Sequence, residues 1–213
     1  MIIEFYGLPG AGKSTIAAAL INLLEAEGRT IRRGVISNSR VVRVFYKTLF
    51  ASLGLFKRFL EIRVVSSVFR SNGFTRAHFK DVFNIAYLLG YYSCDATGIT
   101  YIMDQGLIQG LAVAKNLEAI SEQKNSKLFK GLDLVIQVQL DPDVSLSRLE
   151  NRNSRKSRLE NLVNKDLYIG DWLQNSVQLD SIIRHLNIGS FRVDSSKSVD
   201  GNAIKCQQRI GQI

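Results

Sequence analysis

Histidine, cysteine, proline and tryptophan are all scarce in this chain: two, two, two and one among 213 residues. The two histidines, His78 and His185, lie far apart, which excludes a histidine-based metal centre. Cys94 and Cys206 form no C-x-x-C pair and are too few for a disulfide scaffold, so a reduced, cytoplasmic setting is expected. Scarce proline beside 46% hydrophobic residues excludes a disordered or collagen-like chain. No stretch approaches the roughly 18 uninterrupted apolar residues that a membrane span needs. Met1 runs straight into Ile2-Ile3-Glu4-Phe5-Tyr6, with no basic segment and a carboxylate inside the apolar run, so no secretory leader is expected. The length fits a single domain over residues 1–213, with a substantial core and room for an insert.

Acids are missing from one segment in particular. The formal net charge is +9, yet residues 29–80 alone carry +11, with Glu61 as their only acid, and the rest of the chain carries −2. Taken whole, the charge suggests nucleic acid or a membrane surface. Taken by position, it belongs to one segment.

Gly7-Leu8-Pro9-Gly10-Ala11-Gly12-Lys13-Ser14, followed by Thr15, fits G-x-x-x-x-G-K-[ST], the Walker A or P-loop pattern, without a mismatch. Ile2, Ile3, Phe5 and Tyr6 form a short, largely apolar run ahead of it that suits a buried parallel strand. Ile16, Ala17, Leu20, Ile21, Leu23 and Leu24 recur behind it at helical spacing. Strand, loop and helix are what a triphosphate site requires. The glycines let consecutive N–H groups face phosphate oxygens, and the helix N-terminus adds positive potential. Lys13 reaches the β and γ oxygens, and the Ser14 hydroxyl completes a Mg²⁺ shell. ATP and Mg²⁺ are therefore the expected cofactors.

Alternating strands and helices fill the remainder. Strands are expected at 30–36, 99–103, 134–140 and 190–193, giving an α/β, three-layer αβα arrangement around a five-stranded parallel sheet. Ligands gather at the carboxyl ends of such strands. Gly7–Ser14, Ser37–Arg40, Asp104–Gly106, Asp141–Asp143 and Asp194–Ser196 should then line one rim. Asp104, ending an apolar strand, is the candidate for the Mg²⁺-linked or acceptor-positioning acid, although Asp104-Gln105-Gly106 also has turn chemistry.

Asp141-Pro142-Asp143 caps a helix through Val144, Leu146 and Leu149. Arg148 and Arg152 lie four apart on one face, and Arg155, Lys156 and Arg158 follow. This basic cluster suits a lid at about 148–160 that stabilises charge on a transferring phosphoryl group. A solvated basic helix end paired with Glu150 and Glu160 is the simpler alternative.

Together, Gly7–Thr15, the Asp104 turn and the run from Leu140 through Arg152 resemble the nucleoside-monophosphate kinase group. Arg158-Leu159-Glu160 is similar to the lid ending of thymidylate kinases, and Val193-Asp194-Ser195-Ser196 resembles their base-contacting loop. The resemblance covers both ends of the chain. It implies ATP-dependent phosphorylation of a small acceptor, with Arg148, Arg152 and Arg158 on phosphates and the loop containing Asp194, Ser195 and Ser196 near the adenine. Two departures stand out. Thymidylate kinases follow the strand-end Asp with Arg, whereas this chain has Asp104-Gln105. Ser37-Asn38-Ser39-Arg40 also lacks their Arg-Glu-Pro sequence.

No family counterpart covers residues 41–98, where acceptor choice would be set. Val42, Phe45, Leu49 and Leu53 sit at helical spacing, and Gly54 is expected to separate two helices. Further helices are expected from Phe56 to Phe69 and from Arg76 to Tyr92, so 37–98 reads as a helical acceptor-side insert. Its aromatics are either its own core or part of a functional surface. As a surface it suits, in order, an anionic and partly apolar acceptor, an anionic membrane through 41–70, and nucleic acid. Arg40, Arg70, Arg76 and Gln105 are the candidate acceptor-binding residues. Oligomeric state is left open, a dimer included.

The rival class is a nucleotide-dependent ATPase switch that transfers phosphate to no second substrate. Gln105 orients water in that reading. A GTPase is disfavoured: Asp95-Ala96-Thr97-Gly98 precedes a strand rather than ending one, and Asn164-Lys165-Asp166 places Asp one residue too early. His78 reads as a helix-surface residue and Trp172 as core.

Overall fold

The computed structural model describes residues 1–33, 40–69, 76–93, 98–112, 117, 127–151 and 165–213. Five strands, β1 (Ile2–Gly7), β2 (Thr30–Arg33), β3 (Ile99–Met103), β4 (Leu134–Gln139) and β5 (Gly189–Asp194), form one parallel sheet in the order β2-β3-β1-β4-β5. Every pairing is parallel, for example Glu4 with Met103, Gly7 with Val138, and Gln139 with Asp194. All strands therefore end on the same edge. β1 sits between β3 and β4, where the winding reverses, and the loop following it opens into the crevice that such a reversal leaves. The central strands are buried on both faces, as their continuous Ile, Val, Leu and Phe content requires.

The helices are α1 (Lys13–Ala26), α2 (Arg40–Lys57), α3 (Phe59–Phe69), α4 (Arg76–Tyr92), α5 (Leu107–Leu111), α6 (Pro142–Glu150), α7 (Lys165–His185) and α8 (Val199–Ile210). Side-chain alternation along β1 sorts three of them onto one face. Glu4 points to Tyr92 of α4 and Gln109 of α5, and Tyr6 points to Trp172 and Asp180 of α7. α1 and α8 pack together on the other face. Helices on both faces of one parallel sheet give three layers. Trp172 is buried, as expected for a core residue.

The region after β2 differs from expectation at one glycine. α2 continues through Gly54 instead of breaking there, and its end comes at Lys57. Gly54 serves close approach. A Cβ on Gly54 would lie 2.0 Å from the Ala86 carbonyl oxygen, and one on Gly90 would lie 1.8 Å from the Phe50 oxygen. One glycine from each helix lets α2 and α4 touch backbone to backbone. The chain of rings Phe50–Tyr91–Tyr101, at 5.3 and 5.2 Å, then ties α2 through α4 to β3. Ala51 and Gly54 face inward, whereas Val42, Phe45 and Leu49 are exposed, so most of the expected apolar stripe on α2 faces away from the core. No helix among the described residues is long and apolar enough to cross a membrane.

Candidate active site

Gly7 ends β1 where its backbone lies against β4. A Cβ there would come within 2.4 Å of the Val138 oxygen. The chain then turns through Gly10 and Gly12, at φ 89° and 83°, values that L side chains rarely adopt. Gly12 is the N-cap of α1, and no side-chain cap closes the first turn. The Gly10 position is also crowded, since a Cβ would meet the Ser145 oxygen at 3.0 Å, and the Ser145 hydroxyl donates to the Pro9 carbonyl. α6 thus supports the loop from below. Leu8 and Ala11 are buried beside it, and the Ala11 amide donates to the Leu8 oxygen at 3.1 Å.

Lys13 Nζ donates to the Gly7 and Leu8 oxygens at 2.8 and 2.9 Å, lying across the loop. The Ser14 hydroxyl donates to Asp104 Oδ2 at 2.5 Å, although the two residues are 90 apart in sequence. A hydroxyl and a carboxylate in this position are hard oxygen donors of the kind Mg²⁺ takes, so the pair fits that ion. The Thr15 amide bonds back to Gly12 at 3.1 Å.

Across the rim, Asp194 ends β5 and accepts from both the Ser196 amide (2.9 Å) and hydroxyl (2.6 Å). These bonds hold its carboxyl below the usual range. Asn202 Nδ2 donates to the Asp194 oxygen at 2.7 Å, and Ser198 caps α8. The loop is therefore fixed from both sides. Arg148, in the last turn of α6, donates to Ser195 Oγ at 2.9 Å and to its carbonyl at 3.3 Å. Ser195 Oγ in turn lies 3.3 Å from the Cβ position of Gly12. The P-loop, Arg148 and the Asp194–Ser196 turn thus meet at one place. Asp141 caps α6 through its side chain, accepting from the Asp143 amide at 2.9 Å, with Pro142 at the first helical position.

The remaining candidates are less fully placed. Gln105 is exposed just beyond Asp104. Arg40 and Arg76 begin α2 and α4, with side chains outside the described set. Arg70 lies outside the described residues, as do Arg152, Arg155, Lys156 and Arg158 of the expected lid. Ser37–Ser39, Cys94 and the Asp95–Thr97 part of the D-x-x-G match also lie outside them, and the side chains of His78 and of Lys165-Asp166 are not described. Among the described residues, no cluster of His, Cys, Asp or Glu side chains suffices to hold a metal on its own.

Two residues behind the rim do work that spacing alone did not reveal. Glu4 is wholly buried in β1, and its carboxylate accepts from the Gln109 amide at 3.0 Å and the Tyr92 hydroxyl at 3.1 Å. Burial pushes its pKa up to about 7, against the opposing pull of these bonds and of the Ile108 and Leu107 amides. Gln109 Oε1 accepts from the Gly7 amide at 2.9 Å. Glu4 and Gln109 therefore join the P-loop to the segment carrying Asp104 and Gln105. A Cβ on Gly106 would collide with the Glu4 carboxyl at 2.3 Å, which explains the glycine there. The sequence held one clue, a carboxylate inside an otherwise apolar strand.

No family model matches the chain. The five-stranded parallel sheet with its flanking helices is the three-layer αβα fold of P-loop kinases. Deoxyadenosine kinase of M. mycoides with bound dATP is similar at a TM-score of 0.56 and 17% identity, over 99% of this chain and 100% of that one. The same enzyme with dCMP and dCDP gives 0.53 and 15%, covering both chains fully. Shikimate kinase of Acinetobacter baumannii in complex with shikimate gives 0.51 and 16%, over 99% and 93%. These likenesses establish the fold. In sequence, 123 residues are 25% identical to a methionyl-tRNA formyltransferase of Agathobacter rectalis, taking in 50% of this chain and 40% of that one. The chain thus spans under half the length of that relative.

Proposed function

We propose that the chain is an ATP-dependent phosphotransferase acting on a small, anionic acceptor, nucleotide kinase-like in its machinery. The observation that carries the reading is the contact of Ser14 with Asp104 at 2.5 Å, which joins a complete P-loop to a strand-end carboxylate. Two of the fold neighbours are named as kinases with a nucleotide or shikimate bound, which supports a kinase without choosing an acceptor. The finer likeness to thymidylate kinases rests on sequence alone, and Gln105 in place of the arginine of that family favours an acceptor held differently.

In this reading the loop amides and Lys13 bind the triphosphate. Lys13 exchanges its bonds to the Gly7 and Leu8 carbonyls for phosphate oxygens. Ser14 and Asp104 would hold Mg²⁺, which would supply charge neutralisation at the phosphates. The 194–196 turn borders the adenine. Arg148 turns from Ser195 to the transferring phosphoryl group, joined there by Arg152 and Arg158. Gln105, Arg40, Arg70 and Arg76 are the residues assigned to the acceptor. Glu4 and Gln109 keep the two halves of the site in register. The second reading, an ATPase switch, is favoured by the exposed Gln105, which suits holding a water.

Thermal stabilisation separates the two. The kinase reading expects Mg-ATP and one member of a panel of small anionic acceptors to stabilise the chain jointly, beyond either alone. Stabilisation by Mg-ATP that no acceptor extends, with slow hydrolysis, favours the switch instead.

A further inference from the structure

The outward side of α2 and the start of α3 form an apolar surface that no described element covers. Val41, Phe45, Leu49 and Phe56 recur along one side of α2, and Phe59 and Leu60 of α3 continue from them. Phe56 is 89% exposed, Val41 78% and Leu60 70%. At about 1.5 Å per residue, the stripe on α2 alone is roughly 23 Å long. Soluble monomers rarely expose a contiguous apolar surface of this extent unless something binds it. Inward, the helix is occupied: Ala51, Gly54 and half-buried Phe50 seat it on α4, and Arg58 anchors its end through the Lys127 and Leu128 carbonyls. The exposed side is therefore left over after the fold has used the other.

Charge selects the occupant. The segment 29–80 carries +11, and its only acid, Glu61, lies 3.4 Å from Arg58 Nε and offers nothing outward. Residues 40–69, which make up α2 and α3, carry six cations against Glu61, a net +5, so a second copy docking face to face would bring like charge against like charge, which is repulsive. An anionic lipid surface meets both properties at once. The apolar side chains enter the boundary between headgroups and acyl chains, while exposed Lys57 and Arg63 at the flanks meet acidic headgroups. Because no described helix is long and apolar enough to cross a bilayer, the contact is one of lying on it. We infer that the α2–α3 face docks this chain onto an anionic membrane surface. The inference stands apart from the phosphotransferase reading and does not require it.

Flotation of the full chain with vesicles tests it, comparing pure phosphatidylcholine with phosphatidylcholine containing about 30% phosphatidylglycerol. Binding is expected to the anionic vesicles alone, weakening severalfold as NaCl rises from about 0.1 to about 0.5 M. The double substitution Phe45→Ser, Phe56→Ser should lower the bound fraction about tenfold while leaving stabilisation by Mg-ATP unchanged. Phe56→Trp gives a second readout, with emission shifting to the blue on anionic vesicles. Failure to float, equal binding to both vesicle types, or binding that the serines leave intact overturns the inference. So does a lipid-free dimer that the same serines dissolve.

Discussion

Around the β1–α1 loop, small residues sit where a larger one would collide, and polar side chains have partners: Gly7 against Val138, Gly10 against Ser145, Ser14 on Asp104, Lys13 on two carbonyls. In α2 and α3, Phe45, Phe56 and Leu60 face outward, and cations flank them. Both regions belong to one chain, and both carry positive potential. The loop holds backbone amides and one lysine, itself bonded to the Gly7 and Leu8 carbonyls, in an arrangement that suits a ligand of fixed shape. On the helices, exposed Lys57 and Arg63 stand beside an apolar surface, which suits an extended partner. The contrast teaches that a basic composition has no single meaning. The geometry holding each charge decides whether it suits a phosphate group or a surface.

The comparison is sharpest where the two regions are joined, at the α2–α4 crossing. Gly90→Ala places a Cβ 1.8 Å from the Phe50 oxygen, so the helices must part, and a loss of about 3 kcal/mol is expected in urea unfolding. Gly170→Ala on α7 is the control, because nothing lies within 4 Å of its Cβ position. It should be neutral or stabilising by at most about 1 kcal/mol.

Glu4 lies on the loop side of that join. Folded, its carboxyl keeps its proton up to about pH 7; unfolded, it loses it near 4.5. The native chain therefore binds the extra proton between these values, and stability falls as pH rises through the window. The accumulated cost is on the order of 3 kcal/mol, and it levels off above pH 7. Glu4→Gln cannot ionise. The melting temperature of the parent should decline relative to that of the variant between pH 4.5 and 7, and then run parallel to it. A constant difference across the range would show that Glu4 stays ionised in the fold.

A smaller effect is expected from Arg148, which rests on Ser195 and which the phosphotransferase reading assigns to the transferring phosphoryl group. Arg148→Ala should lower kcat about 10- to 100-fold with a modest change in the KM for ATP. Equal losses in both would assign it to ground-state binding.

How much of this was legible in the sequence follows from distance along the chain. The P-loop is contiguous, and its strand and helix adjoin it, so motif and context could be read together. The Asp141 cap and the Asp194 turn are local too. The Glu4 network is not: its partners Tyr92 and Gln109 stand 88 and 105 residues away, and only an unexplained acid in an apolar strand hinted at it. Gly54 shows the opposite failure. A glycine in a helical pattern reads as a break, and its true reason, Gly90 on another helix, lies outside any local window. The apolar stripe of α2 was visible as a period, but a period does not say which side faces the core.

Transfer of labelled γ-phosphate from ATP across a panel of small anionic acceptors tests the central claim most directly, comparing the parent chain with Lys13→Ala. The phosphotransferase reading predicts that label moves to one acceptor and that the substitution lowers the rate by about a thousandfold. Label released only as inorganic phosphate, at a rate that no acceptor changes, would contradict it.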